Sequence, residues 1–127
     1  LPILELTIST CPLVDTPVAV HAVTAPWSES EATWNESSAT ISWATGGGDF
    51  DVSATATQVV TTACSVDQEM DFDVTADAAA FHAAPSTNNG WLLKDDDELD
   101  STTNQFVAVD SSEGVVSPTL RIFHSVP

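Results

Sequence analysis

Met70-Asp71-Phe72-Asp73-Val74 alternates apolar and acidic residues without interruption. A period of two is typical of a strand with one face in the core and the other in water, so the apolar residues of this stretch are predicted to point inward. Residues 4–9 alternate in the same way, and residues 17–23 repeat the pattern after a proline-bounded loop. These three segments predict a core built from strands.

Other short apolar runs lie on both sides of these segments and are separated by turn residues such as Gly46-Gly47-Gly48 and Asn88-Asn89-Gly90. The runs cover residues 50–54, 58–61, 91–94, 106–109 and 120–123. With 127 residues the chain has the length of one domain. We therefore predict an all-β fold, a jelly-roll-type β-sandwich, with residues 1–127 forming a single module.

Two segments favour short helices within this β pattern. Residues 76–82 are rich in alanine and follow Thr75, and Asp77 suits the positive end of a helix. Pro85 then ends the helical pattern. Residues 28–31 have the S-x-x-E spacing of a capping box, which predicts one helical turn between Trp27 and Trp34.

The charge of the chain excludes several classes of partner. Nineteen Asp and Glu oppose Lys94 and Arg121, giving a net charge of −17. Nucleic-acid binding needs basic residues to replace phosphate counterions, and anionic membranes or polysaccharides would be repelled. No apolar stretch approaches the ~18–20 residues that span a bilayer. Residues 1–6 lack the features of a signal peptide, so we expect a mature or excised piece.

Cys11 and Cys64 allow one disulfide, which would close a loop of about 50 residues and stabilise the fold by ~3–4 kcal/mol. The alternative is two separate buried thiols. The scarcity of Lys together with abundant Ser, Thr and Ala is typical of an extracellular protein, where a disulfide persists. Asn35-Glu36-Ser37 is a glycosylation sequon, a triplet that also arises by chance.

Catalytic motifs are missing from the sequence. It contains no G-x-S-x-G, H-E-x-x-H or P-loop pattern, and His21, His82 and His124 have no metal-ligand spacing. We therefore expect that the protein is not an enzyme.

Clustered acids make Ca²⁺ a candidate ligand, because Ca²⁺ takes six to eight oxygen atoms. Asp71 and Asp73 lie on one face of a predicted strand, and Asp95, Asp96 and Asp97 follow the end of another. No EF-hand loop is present, so a site would need the fold to bring these acids together. The alternative is a solvated acidic surface.

Four tryptophans make sugar stacking a second candidate chemistry. Trp43 is the best candidate, since it adjoins a loop that contains three glycines, and Trp91 is the next. The alternative for each of them is a role in the core or in pinning a loop.

Several stretches together resemble the DNRLRE-domain proteins of bacteria and archaea, also classed as carbohydrate-binding module family 96. Residues 27–35 resemble that family's W-x-E-x-x-x-T-W-N stretch, and residues 72–75 its F-D-V-T before a helix. Residues 88–94 resemble its N-x-G-x-x-L-K strand, and residues 106–113 and 117–122 resemble its ending. The matches keep their order over most of the chain.

The resemblance implies a secreted, non-catalytic jelly-roll sandwich of the kind found in cell-surface, adhesive and polysaccharide-associated proteins. The family's first strands, with an N-x-x-Y-G-like segment, have no counterpart here, so residue 1 would fall near the fourth strand. A sandwich without them would expose an apolar groove and open strand edges. Either the missing strands lie elsewhere in a longer or cleaved chain, or a neighbouring subunit supplies a strand. The near absence of basic residues excludes the acidic polysaccharides that some family members hold.

Two hypotheses about function follow. The first is an extracellular structural or adhesive module, assembling into a filament or surface layer by pairing strand edges with itself or with another surface protein. The second is a carbohydrate-binding module for neutral glycans. An enzyme is a distant third.

Overall fold

The computed structural model describes residues 1–96 and 107–122. Within these ranges the chain forms strands, one α-helix and a 3-10 turn at Pro85–Thr87. In chain order the elements are β1 (Ile3–Thr10), β2 (Thr16–Ala22), β3 (Glu36–Ser38), β4 (Ile41–Ser42), β5 (Ala56–Val60), β6 (Glu69–Asp73), α1 (Thr75–Ala83), β7 (Trp91–Asp95), β8 (Ala108–Val109) and β9 (Thr119–Arg121). Four residues named above lie outside the described ranges. They are Asp97, a proposed Ca²⁺ ligand, Phe106 and Phe123 of predicted strands, and His124.

The first sheet is built around β1. Strand β6 pairs with it along one edge, while β8 and β9 pair with different parts of the other edge, all antiparallel. Leu4 lies opposite Phe72 and Leu6 lies opposite Met70, so the apolar residues of β1 and β6 share one face. This register follows from the alternation in both strands, since a slip by one residue would expose the whole apolar set.

The second sheet is built around β2, with β5 on one edge and β7 on the other. Val20 lies opposite both Ala56 and Leu93, and Val18 lies opposite Asp95. Val18 and Val20 are buried, so Leu93 and Asp95 are on the inner face of this sheet.

The core fills the space between the two sheets. Its buried residues are Leu4, Leu6, Ile8, Val18, Val20, Val60, Met70, Phe72 and Val74. Because both sheets contribute to one apolar layer, the predicted all-β sandwich is confirmed, with one short α-helix among the described residues. The inward orientation predicted for the apolar residues of the 70–74 stretch is also confirmed, since none is more than 5% exposed.

A disulfide joins Cys11, just after β1, to Cys64, which lies beyond β5. The two Cα atoms are 5.9 Å apart, and the bridge spans 53 positions of sequence. The alternative of two separate thiols is therefore wrong. Because β1 and β5 belong to different sheets, the bridge ties the two layers of the sandwich together.

The two sides of the sandwich differ. On one side β5 lies beside β6, and the Gln58 side-chain amide donates to the Asp71 carbonyl oxygen at 2.8 Å. On the other side, between β7 and β8, the described residues surround a cavity of about 240 Å³. Its lining residues are Thr16, Val18, Leu93, Lys94, Asp95, Val107 and Val109. Apolar side chains of the inner face, Val18, Leu93 and Val109, thus border this cavity.

Two acidic residues position helix α1: Asp73 at its start and Asp77 against the second sheet. One Asp73 carboxylate oxygen accepts hydrogen bonds from the Thr75 backbone N–H at 3.0 Å and from its hydroxyl at 2.5 Å. One Asp77 oxygen accepts from the Thr55 hydroxyl at 2.5 Å and from the Trp91 indole N–H at 2.7 Å. The predicted helix is confirmed, and Asp77 fixes it against β7.

The segment between β2 and β5 differs from its prediction. The predicted strand over residues 50–54 is wrong, because only Phe50 forms a bridge, with Val23, and the next residues bend. The Asp51 carboxylate accepts from the Ser53 backbone N–H at 3.0 Å, and this local bond competes with strand pairing.

The predicted capping box is also wrong, although the chain does turn at this point. The Ser28 carbonyl accepts from the Glu31 and Ala32 backbone N–H groups, which closes one turn. The Glu31 carboxylate, however, accepts from the Ala39 backbone N–H at 3.3 Å instead of reaching back to Ser28. The Ser28 N–H donates to the Ser37 carbonyl, so this turn is held against the β3–β4 hairpin.

Candidate functional site

The most exposed tryptophan of the chain, Trp34, lies two residues before β3 with 70% of its surface in solvent. Its indole ring rests on the backbone of Gly46 and Gly47. A Cβ atom added to Gly46 would lie 2.8 Å from the indole Nε1, and one added to Gly47 would lie 3.0 Å from Cη2. The two glycines therefore contact opposite ends of the ring. We call Trp34 with Gly46 and Gly47 the tryptophan platform.

Backbone hydrogen bonds hold the loop beneath the ring. The Gly47 N–H donates to the Trp34 carbonyl oxygen at 2.8 Å. The two Asp49 carboxylate oxygens accept from the Ala44 and Thr45 backbone N–H groups, each at 2.9 Å. Gly47 has a φ of +92°, a conformation that side chains strongly disfavour. These bonds and the backbone conformation of Gly47 order the loop on which the ring rests.

Trp43 and Trp91, the tryptophans predicted to bind a ligand, are both half-buried. The Trp43 indole N–H donates to the Thr33 carbonyl at 2.9 Å, which pins the chain just ahead of Trp34. Trp91 donates to Asp77 and packs against Phe81, with ring centroids 5.5 Å apart. Ligand binding by these two residues stays a prediction, but both indole N–H groups serve internal contacts.

Sequence reasoning did not single out Trp34 as a site residue. Trp27, the other partly exposed tryptophan, donates its indole N–H to the Asn89 carbonyl at 2.7 Å. Within the described part of the chain, the Trp34 indole N–H has no protein acceptor. The signal available in the sequence was the Gly46-Gly47-Gly48 run, whose lack of side chains leaves space for a ring.

The sequon residue Asn35 is exposed and adjoins Trp34. Ser37, its third residue, is buried, and its hydroxyl donates to the Ile41 carbonyl at 3.2 Å. Glycosylation of Asn35 stays a prediction.

A group of three carboxylates forms on the outer face of the first sheet. Oxygen atoms of Glu5, Glu69 and Asp71 all lie within 4.8 Å of one another. Glu5 lies opposite Asp71 in the β1–β6 register, and Arg121 on β9 forms an ion pair with Glu5. The signal for this group was the shared alternation of β1 and β6, which places their acids on one face.

The grouping of these carboxylates changes the pKa of Glu69. Partial desolvation, followed by repulsion from the carboxylates of Asp71 and Glu5, raises the pKa of Glu69 above its ordinary 4.5, and Arg121 opposes the rise. Asp73 behaves in the opposite way, because hydrogen bonds from the Thr75 hydroxyl and backbone N–H lower its pKa. The three grouped carboxylates are oxygen ligands of the kind that a hard cation accepts.

The predicted Ca²⁺ ligands that the structure describes lie in two separate places. Asp71 and Asp73 are on β6, whereas Asp95 is on β7 and Asp96 follows it, in the other sheet and on the opposite side of the sandwich. Asp95 lines the cavity, and the Asp96 backbone N–H donates to the Pro17 carbonyl at 2.9 Å. Among the described residues, Asp71 alone of the predicted ligands belongs to the carboxylate group described above, and binding of Ca²⁺ by either acidic stretch stays a prediction.

The described histidines lie on separate elements. His21 on β2 is buried, donates Nδ1–H to the Asp51 carbonyl at 2.7 Å, and packs edge-on against Phe50 at 5.1 Å. His82 is exposed near the end of α1. The expectation that the protein is not an enzyme stays a prediction.

The fold and these contacts define the class as a disulfide-linked all-β sandwich with a tryptophan platform at one loop. No protein-family model matches the chain, and neither the curated proteins nor the solved structures contain a significant match. The resemblance to DNRLRE-domain proteins therefore stays a prediction. Within residues 1–96 and 107–122, no helix is long and apolar enough to cross a lipid bilayer.

Proposed function

We propose that this chain is a non-catalytic extracellular surface module with a structural or adhesive role. It associates with further copies of itself, or with another surface protein, through the side of the sandwich where the described residues of β7 and β8 line the cavity. The observation that carries this proposal is the cavity between β7 and β8, where Val18, Leu93, Val107 and Val109 form an apolar lining beside Thr16, Lys94 and Asp95.

Inner-face side chains remain partly in water on this side. Leu93, opposite the fully buried Val20, is 38% exposed. Leu120, opposite the core residue Leu4, is 43% exposed. A strand from another chain would cover such residues while its backbone paired with a sheet edge, which is the usual chemistry of strand addition.

The disulfide and the charge support an extracellular location. The Cys11–Cys64 bridge persists in oxidising surroundings and would be reduced in most cytosols. A net charge of −17 favours solubility and disfavours nucleic acid and anionic membranes as partners. Binding of Ca²⁺ stays a prediction.

Analytical ultracentrifugation and electron microscopy of the purified chain test the proposal. We expect association that increases with concentration, and we expect Leu93→Ser to weaken it. Val59→Ser is the matched control, because Val59 is 59% exposed on the outer face of β5. A folded monomer at high concentration, or equal weakening by both variants, would contradict association through this side of the sandwich.

A second candidate function is binding of neutral glycans, favoured by the exposed Trp34 ring. A glycan array together with intrinsic tryptophan fluorescence tests it. Binding of a neutral glycan supports this function, while an array without hits and unchanged fluorescence would remove it.

A further inference from the structure

We propose that the tryptophan platform is the stacking surface for a neutral pyranose ring of a polysaccharide. This inference rests on the second candidate function and assigns that function a site and a ligand class. It transfers the sugar-binding role from Trp43 and Trp91 to Trp34.

The exposure of Trp34 is the first observation that supports a stacking surface. A tryptophan side chain offers about 150–250 Å² of mostly apolar surface, and a packing role would bury most of it. Trp34 instead leaves 70% of its surface in water while Gly46 and Gly47 contact the ring. A flat aromatic surface is thereby presented to solvent.

The ordered loop beneath the ring is the second observation that supports a stacking surface. The ring lies where any side chain at Gly46 or Gly47 would collide with it, so these positions and the indole are complementary in shape. The Gly47–Trp34 backbone hydrogen bond and the two bonds to the Asp49 carboxylate fix the loop. A surface that is ordered beforehand loses little entropy when a ligand binds.

Polar groups near the ring are the third observation, because they could bond to sugar hydroxyls. A pyranose ring has an apolar C–H face bordered by hydroxyl groups, which suits an aromatic face with hydrogen-bonding groups at its rim. The Trp34 indole N–H has no acceptor among the described residues. The neighbouring Asn35 is exposed, and its amide offers both donors and an acceptor.

The charge around the platform selects a neutral sugar. Residues 24–55 contain no Lys or Arg and carry several carboxylates: Glu29, Glu31, Glu36, Asp49 and Asp51. The Lys94 ammonium group lies over the Phe50 ring, 5.6 Å from its centroid. Sulfated sugars and uronic acids would therefore be repelled, whereas carboxylates accept hydrogen bonds from neutral hydroxyls.

The test measures binding of cellohexaose, mannohexaose and chitohexaose by calorimetry and tryptophan fluorescence, with sedimentation against insoluble cellulose and chitin. We expect at least one of these probes to bind. Trp34→Ala should weaken binding by about tenfold or more, since stacking is lost. Trp27→Phe is the control and should keep the affinity of the parent chain.

Gly46→Ala tests the platform without removing the ring. The three atoms nearest to its new Cβ all belong to the Trp34 side chain, which can move aside, so we expect a folded protein with a displaced indole and weaker binding. Circular dichroism verifies that each variant is folded.

The experiment distinguishes failure of the platform as the binding site from failure of glycan binding as the function. Binding that survives Trp34→Ala would overturn the platform while leaving glycan binding intact. If no probe binds the parent chain, the candidate function is wrong and the platform assignment falls with it. If a proline-rich peptide quenches the tryptophan fluorescence of the parent chain but not that of Trp34→Ala, and the sugars quench neither, a protein ligand replaces the sugar and the proposal is overturned.

Discussion

Asp77 is the residue that joins helix α1 to the second sheet. One of its carboxylate oxygens accepts hydrogen bonds from Thr55, just before β5, and from Trp91 at the start of β7. Hydrogen bonds to a charged acceptor contribute about 1.5–3 kcal/mol each, and their removal leaves two partly buried donors unpaired.

We expect Asp77→Ala to lower the free energy of unfolding by about 2–3 kcal/mol. Urea denaturation followed by tryptophan fluorescence measures the change. Glu29→Ala, at an exposed carboxylate in the turn after Ser28, is the control and should change stability by less than ~0.5 kcal/mol. Similar effects of the two variants would contradict the bridging role of Asp77.

Comparing substitutions at two glycines with positive φ distinguishes the cost of backbone strain from the cost of contact with Trp34. Gly47 has a φ of +92° and lies under the indole, whereas Gly90 has a φ of +77° with no atom within 4 Å of an added Cβ. We expect Gly90→Ala to cost about 1 kcal/mol from backbone strain alone. Gly47→Ala should cost more and should shift the tryptophan emission spectrum. Equal costs with unchanged emission would show that the ring does not rest on Gly47.

At the scale of elements, β1 and β6 bring Glu5, Glu69 and Asp71 together. Because the pKa of Glu69 is raised in the folded state, folding favours its protonated form. Its ionised form therefore destabilises the protein at neutral pH, and this penalty disappears as the pH falls below the ordinary value. Asp73 and Glu113 have lowered pKa values, so their stabilisation is present at neutral pH and is lost on acidification.

We expect Glu69→Gln to raise the melting temperature at about pH 7 and to leave it nearly unchanged at about pH 3, where the parent glutamate is protonated. Melting curves of both proteins across this range provide the measurement. Asp73→Asn should do the reverse, lowering the melting temperature at neutral pH, because it removes a stabilising carboxylate. A pH-independent difference for Glu69→Gln would contradict the electrostatic origin of the effect.

The disulfide connects elements from the two sheets. By the loop-entropy argument, closing a loop of this length stabilises the fold by about 4 kcal/mol. We expect the double variant Cys11→Ser/Cys64→Ser to lose about that amount in urea denaturation. The parent chain in a reducing agent should lose a similar amount, and the double variant should not respond to it. An unchanged midpoint on reduction would contradict a stabilising bridge.

For the molecule as a whole, the net charge of −17 opposes folding through repulsion between carboxylates. Salt shortens the range of this repulsion from about 30 Å at 0.01 M to about 3 Å at 1 M. We therefore expect the melting temperature to rise with NaCl concentration. CaCl₂ at matched ionic strength separates screening from ion binding, because a larger rise with Ca²⁺ than with Na⁺ indicates a site. A melting temperature that falls or stays constant with NaCl would contradict the repulsion.

Much of the fold could be predicted because strands and helices are signalled by neighbouring residues. The alternation around Leu4 and around Phe72 defined β1 and β6, and the alanines after Thr75 defined α1. The β3–β4 hairpin was not predicted, because its short strands hardly alternate. The strand expected at residues 50–54 failed because the Asp51 side chain bonds to local backbone, which periodicity does not report.

By itself, the sequence determined the all-β class, the inward set of apolar residues, the charge and the one pair of cysteines that could bond. Only the tertiary structure decided that Glu69 meets Glu5, that the two acidic stretches lie on opposite sides, and that Trp34 rather than Trp43 is the most exposed tryptophan. The physical reason is range. Periodicity follows from backbone geometry over a few residues. The contact between Glu69 and Glu5, the positions of the acidic stretches and the exposure of Trp34 depend instead on strand register and loop packing between segments far apart in sequence.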